Sequence, residues 1–220
     1  NLTYTSGNFP DLPTLYDAFT GKASIQDVIT KSSVGYDVTP GDISFSSADM
    51  EFTAKNKTFI LKGLLEPIKE NYDYCIIDTP PTLGILTINA LSTSDKAIIP
   101  MNADIYSAQG LSQLWSLMDS VRTYCNPDLI AMKSALGART QPMILSISTA
   151  GYINDSIYDI AKTLNTHVFM SHIREAVAVK EVQYMQGSLF RDYPSAKVTS
   201  DYWHFIDEFL GKPVVINTIK

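Results

Sequence analysis

Short apolar runs alternate with longer amphipathic stretches along most of the chain. The apolar runs bounded by turn residues predict β-strands at Asp42–Phe45, Tyr74–Ile77, Lys96–Pro100, Met143–Ser148 and Val168–Met170. Apolar residues at helical spacing predict helices at Leu12–Phe19, Ser24–Lys31, Thr58–Glu70, Leu83–Leu91, Ser107–Cys125, Asn154–Leu164, Arg174–Gln186 and Val198–Leu210. This alternation predicts an α/β fold, a mostly parallel sheet with helices on both faces, in a single domain over residues 1–220.

The predicted sheet also indicates where a ligand would bind. Ligands of such sheets sit at the carboxyl ends of the strands. Asp78, the segment Pro100-Met101-Asn102 and the residues after Met170 each follow a predicted strand. We therefore expect them along one rim of the sheet.

Composition narrows the class of protein. Hydrophobic residues make up 45% and charged residues 18% of the 220-residue chain, which is typical of a globular protein. No apolar run approaches the length of a membrane span, so no membrane association is expected. The two cysteines form no disulfide framework, which favours the cytoplasm. A net charge of −6 provides no global basic field, so any DNA contact must come from a local patch.

Asp78 is the strongest candidate for a residue that takes part in catalysis or metal binding. It ends an apolar run and is followed by Thr79-Pro80-Pro81, which prevents the run from continuing as a strand or a helix. In α/β proteins that hydrolyse nucleotides, the acid that organises Mg²⁺ beside the phosphate chain is presented in this way. The G-x-x-x-x-G-K-[ST] frame that cradles phosphates is absent, since Gly21-Lys22 and Gly211-Lys212 lack its spacing.

Several segments resemble ParA/Soj partition ATPases, members of the ParA–MinD class of deviant Walker P-loop ATPases. The resemblance covers most of the chain, and its motifs occur in the family's order: Tyr72–Leu91, Ala97–Leu111, Ile173–Glu181 and Tyr193-Pro194-Ser195. It implies a P-loop NTPase-like fold, with ATP and Mg²⁺ as cofactors. It also implies a homodimer in the ATP state, non-specific binding to nucleoid DNA, and a centromere-binding partner of the ParB type that stimulates hydrolysis.

The resemblance also assigns roles to individual residues. Asp78 matches the Walker B acid that holds Mg²⁺, and Thr79 and Pro80 match the switch that follows it. The adenine-contacting backbone of the family corresponds to Ser171, His172 and Ile173, and its DNA-contacting basic residues correspond to Arg174 and, more weakly, Lys197.

Two departures from the family qualify these roles. The Walker A loop and the Asp-x-Asp-x-Gln segment of the family would precede Asn1, so we expect a domain that lacks its N-terminal strand and phosphate loop and is inactive alone. The alternative is a non-enzymatic relic that binds DNA or a partner protein without ATP turnover. Residues 133–152 instead resemble a piece of a phage large terminase, which leaves a DNA-packaging motor as a remote third hypothesis.

Overall fold

We describe the fold from a computed structural model of the chain. The structure describes residues 3, 6–7, 9, 11–47, 51–52, 57–101, 105–127, 129, 143–146, 167–168, 171, 173–174 and 176–211. The chain divides into two compact units, Asn1–Asp95 with Leu114–Ala131, and Lys96–Gln113 with Met132–Lys220. Whether these units act as the single predicted domain stays a prediction.

The first unit is mainly helical in its described part. Its elements are the helices α1 (Leu15–Phe19), α2 (Ile25–Val28), α3 (Ile60–Leu65) and α4 (Ile85–Thr93), the 3₁₀ turns Ile43–Ser47 and Glu66–Asn71, and the antiparallel strands β1 (Thr30–Lys31) and β2 (Asp37–Val38). The long helix α5 (Ile105–Tyr124) belongs to this unit from Leu114 onward. The predicted helices at Thr58–Glu70, Leu83–Leu91 and Ser107–Cys125 are therefore confirmed, with shifted ends.

Two sequence predictions before residue 46 are wrong. The helix predicted to reach Lys31 ends at Val28, because Thr30 and Lys31 pair as β1 with β2. The strand predicted at Asp42–Phe45 is a 3₁₀ turn, because the Asp42 carboxylate accepts hydrogen bonds from the Ser44 amide at 2.6 Å and hydroxyl at 2.7 Å.

The strand predicted at Tyr74–Ile77 is also absent as a regular element. The segment has no regular secondary structure, and none of the described residues forms a backbone ladder with it. Tyr74 and Ile76 are 69% and 89% exposed, whereas Ile77 packs against the core of the first unit. An apolar run forms a strand only where a neighbouring backbone supplies hydrogen bonds, so the sequence pattern alone could not decide this point.

An aromatic cluster forms a core of the first unit. Phe19, Phe52 and Leu61 are buried together. Phe45 stands edge-on to Phe19, with ring centroids 5.3 Å apart. Ile77 packs against this cluster, and the candidate residue Asp78 follows it directly in the chain.

The second unit contains a parallel sheet in the order β3-β4-β5. The strands are β3 (Ile98–Met101), β4 (Met143–Ser146) and β5 (His167–Val168), which confirms the predicted strands at Lys96–Pro100, Met143–Ser148 and Val168–Met170 within their described residues. The helices α6 (Val177–Tyr184), α7 (Leu189–Asp192) and α8 (Lys197–Phe209) follow. The predicted helix Asn154–Leu164 and most of the terminase-like segment lie outside the described residues.

The last helix, α8, packs an apolar face into a second core cluster. Ile173 and Val198 are buried at its centre, and Tyr202, Phe205 and Phe209 pack against them. This arrangement confirms the amphipathic helix predicted at Val198–Leu210. In the described part of the chain, no helix combines the length and the apolar character needed to cross a bilayer.

Candidate functional site

Asp78 directly follows Ile77, which packs against the core of the first unit. Its side chain is exposed. Within the residues that the structure describes, its carboxylate has neither a hydrogen-bond nor an ion-pair partner. The anchored neighbour fixes the backbone, and the carboxylate itself remains available to an external cation.

The loop after Asp78 is fixed at its far end by α4. Thr79 and Pro80 are exposed. The Thr87 hydroxyl donates a hydrogen bond of 2.6 Å to the carbonyl of Thr82, which ties the loop to the first turn of the helix. The two prolines of the loop fix their own φ angles, which reduces the number of conformations open to the chain between Asp78 and α4.

Asn89 positions α4, and sequence reasoning missed it. The residue is 1% exposed, and its Oδ1 accepts a hydrogen bond of 3.1 Å from the amide of Leu61. Its Nδ2 donates to the carbonyls of Lys57 at 2.8 Å and Ile85 at 3.0 Å. A lone amide within the apolar run of α4 is the signal that could have revealed this role, since a buried polar side chain needs partners.

A metal ion bound at Asp78 would have this carboxylate as its single ligand from the described part of the protein. No cluster of three or more His, Cys, Asp or Glu side chains suited to a metal occurs among the residues that the structure describes. A lone carboxylate suits Mg²⁺, which keeps several waters and is often held by one or two carboxylates together with phosphate oxygens. The arrangement does not resemble the closed sites that bind structural zinc.

Two of the three predicted base-contacting residues, Ser171 and Ile173, are described, and both lie outside regular secondary structure in the second unit. Ser171 is buried, and its amide and hydroxyl both donate to Glu208 Oε2, at 2.9 and 2.6 Å. Ile173 is 4% exposed and belongs to the core cluster, so only its backbone could face a ligand. His172 lies outside the described residues.

Arg174 is held by an acid on α8. Its Nε and Nη2 donate to Asp201 Oδ2 and Oδ1 at 2.6 and 2.9 Å, and its backbone amide donates to Oδ2 at 3.1 Å. The hydrogen bond to Asp201 raises the pKa of the Arg174 guanidinium above its ordinary value. The Arg174 side chain is 50% exposed and that of Asp201 only 9%, so the cation of the pair faces solvent.

Lys197 is the first residue of α8, one helical turn before Asp201. It is exposed, and in the described part of the chain its ammonium has no ion-pair partner. The amino end of a helix carries a partial positive charge, which adds to that of the ammonium group. An anion is therefore favoured at this end of α8.

The predicted site residues thus form two groups. Asp78, Thr79 and Pro80 precede α4 in the first unit. In the second unit, acids of α8 bind Ser171 and Arg174, and Lys197 is the first residue of that helix. Sequence reasoning missed the two acids that organise the second group, Asp201 and Glu208. Their spacing of seven places them on one face of α8, which was the available signal.

Comparison with known proteins identifies the family. The AAA_31 family, described as an AAA domain, matches residues 1–131. The sporulation initiation inhibitor protein Soj of Bacillus subtilis is 38% identical over 150 residues, which cover 66% of this chain and 59% of Soj. The chromosome partitioning protein ParA of Caulobacter vibrioides is 32% identical over 164 residues, which cover 70% of this chain and 61% of ParA. The chain thus spans about three-fifths of these relatives.

A solved structure confirms the predicted fold class. Cobyrinic acid a,c-diamide synthase from Mycobacterium smegmatis, solved with a bound ATP analogue and magnesium, superposes with a TM-score of 0.73 at 20% sequence identity. The superposition covers 99% of this chain and 82% of that one. The likeness supports an α/β P-loop NTPase-like fold. Since the family model matches more than half of the chain and the similar proteins include Soj and ParA, the chain belongs to the AAA_31 family as a ParA/Soj-type protein.

Proposed function

We propose that this chain acts in ATP-dependent DNA partition, with a nucleotide site organised by Asp78 and a DNA contact formed by Arg174 and Lys197. The observation that carries the proposal is the exposed Asp78 carboxylate, held between the anchored Ile77 and the loop that enters α4. Family membership and the similarity to the chromosome partitioning protein ParA of Caulobacter vibrioides support the biological setting.

In the nucleotide half of the proposal, Asp78 holds Mg²⁺ beside the phosphates of ATP. The bound Mg²⁺ would neutralise charge on the phosphate oxygens while a phosphoryl group is transferred to water. Asp78 fits this task as a hard oxygen donor that has no partner among the described residues. Thr79 and Pro80 lie in the loop that would respond to the terminal phosphate, and the backbone near Ser171, His172 and Ile173 would contact the base.

In the DNA half, Arg174 and Lys197 contact phosphates of nucleoid DNA without regard to sequence. Both cations lie at the amino end of α8 or are bound to it, so the helix presents them together. Two phosphate contacts alone give weak, salt-sensitive binding. A homodimer in the ATP state would double them, and a ParB-type partner would end the bound state by stimulating hydrolysis.

The test of this proposal is Asp78→Asn in the complete product of the gene, with Asp73→Asn as its matched control. Asp73 is exposed on the same segment, five positions earlier. We expect Asp78→Asn to abolish Mg²⁺-dependent ATP hydrolysis and the DNA retention that depends on ATP, and Asp73→Asn to preserve both. Equal activity of the two variants would refute the assignment of Asp78. Absence of any ATP-dependent behaviour in the unaltered protein would favour the non-enzymatic alternative.

A further inference from the structure

One carboxylate in the second unit occupies the hydrogen-bonding edge of Arg174. We propose that Asp201 competes with phosphate oxygens for Arg174, so that the pair restrains anion binding until a phosphate displaces the carboxylate. This inference rests on the proposed DNA contact of Arg174, and it adds a restraint that lies within the chain itself.

The geometry makes Asp201 a substitute for a bound phosphate. Arginine forms paired hydrogen bonds with carboxylates and phosphates through the same planar fork of N–H groups. Here Nε and Nη2 of Arg174 donate to the two oxygens of Asp201, at 2.6 and 2.9 Å. A phosphate that approached this edge would have to take these donors from Asp201.

Burial indicates which partner of the pair stays in place. Asp201 has a side-chain exposure of 9%, whereas that of Arg174 is 50%. If the guanidinium turned towards an external anion, Asp201 would still accept the backbone amide of Arg174 at 3.1 Å. The carboxylate therefore keeps a hydrogen bond when the ion pair opens, which limits the cost of opening.

The position of Lys197 favours the replacement of Asp201 by a phosphate at Arg174. Lys197 and Asp201 lie four residues apart on α8, so they share a helix face. No ion pair joins them in the described part of the structure. A phosphate that replaces Asp201 at Arg174 would approach the same face and gain a second cation.

The variant Asp201→Asn tests the inference. Asparagine keeps the shape of the side chain and an oxygen for the Arg174 amide, but it removes the competing charge. The freed guanidinium is half exposed and can be hydrated, so we expect the variant to fold. In filter retention of the 220-residue chain on a duplex of mixed sequence, we expect about fivefold tighter binding at low salt. The plot of log K against log salt should become steeper by about 0.9, the value for one additional phosphate contact.

Two controls separate this effect from a general change of charge. Asp192→Asn removes one charge from another arginine–aspartate pair of the same unit, in which Arg191 Nε donates to Asp192 at 2.7 Å. We expect this variant to bind DNA as the unaltered chain does. In an Arg174→Ala background, Asp201→Asn should have no further effect, because the cation that it frees is absent.

A second readout decides the inference even if the chain does not bind DNA. The Nε–H signal of Arg174 is followed by nuclear magnetic resonance during titration with inorganic phosphate. We expect it to respond at a lower phosphate concentration in Asp201→Asn, and in Asp201→Ser should the first variant fail to fold. Absence of DNA binding in every variant, together with this shift, would refute the DNA role and leave the competition supported. Equal phosphate responses would overturn the inference, and so would measurable DNA binding that is no tighter for Asp201→Asn than for the unaltered chain.

Discussion

A single carboxylate oxygen, Glu208 Oε2, accepts hydrogen bonds from both the amide and the hydroxyl of Ser171, at 2.9 and 2.6 Å. Glu208 lies near the end of α8, and Asp201, seven residues earlier, holds the amide of Arg174 at 3.1 Å. Between these two points Ile173 is buried in the core cluster. The loop that carries the predicted base and DNA contacts is therefore fastened to one helix at both ends.

Removal of Glu208 should loosen this loop. Glu208→Ala leaves the amide of Ser171, a buried residue, without its acceptor, and an unsatisfied buried donor costs about 1–3 kcal/mol. We expect a loss of that size in the free energy of unfolding, measured by urea titration, and a smaller loss for Glu208→Gln, which retains an acceptor oxygen. Ser200→Ala, at an exposed position of the same helix, is the control and should change stability little. A Glu208→Ala variant as stable as that control would show that the contact contributes nothing.

The comparison of sequence with structure at α8 shows what local patterns can predict. The apolar spacing predicted this helix to within one residue at each end, because burial of one face leaves a periodic trace. The ion pair between Arg174 and Asp201 produces no sequence pattern, since its partners are 27 residues apart and meet only in the fold. The polar residue at position 201 was visible, but the partner that satisfies it was not.

The segment before Asp78 shows where a local sequence pattern fails to predict the structure. Its apolar residues predicted a buried strand, yet Tyr74 and Ile76 are exposed and only Ile77 enters the core. Strand formation depends on a neighbouring backbone, which the composition of the segment cannot report. The prediction that no regular element continues past Asp78 is confirmed, since residues 78–84 lie in no helix or strand.

Lys197 provides a test of the DNA contact that is independent of Asp201. Since Lys197 has no ion-pair partner among the described residues, Lys197→Ala should weaken DNA binding equally for all sequences and reduce the salt slope by about 1. Lys62→Ala removes an exposed lysine of the first unit and should leave the slope unchanged. The measurement is retention on DNA over a range of salt concentrations. Identical slopes for the two variants would remove Lys197 from the contact.

Asn89 should contribute to stability through its three hydrogen bonds. Asn89→Ala removes the acceptor of the buried Leu61 amide, at 3.1 Å, and the donors to two carbonyls. We expect the free energy of unfolding to fall by about 1–3 kcal/mol, the cost of leaving a buried polar group unsatisfied. Asn71→Ala, at an exposed position, is the matched control. Because Asn89 orients α4, amide hydrogen exchange in the loop from Thr79 to Gly84 should accelerate in Asn89→Ala alone.

Asp37 should make the stability of the first unit sensitive to acid. The hydrogen bond from Lys31, at 2.5 Å, and then that from Tyr72, at 2.8 Å, hold the pKa of Asp37 below its ordinary value of 3.8. A carboxyl group whose pKa is lowered by folding stabilises the folded state above its unfolded pKa, and this contribution is lost as the pH falls through the lower, folded value. We therefore expect Asp37→Asn to lower Tm at about pH 6 and to match the unaltered chain at about pH 2. Asp95→Asn, at an exposed position without a hydrogen bond or ion pair in the described part of the chain, should not lower Tm at either pH. A difference in Tm between Asp37→Asn and the unaltered chain that persisted undiminished at the lower pH would mean that the substitution acts through packing and not through charge.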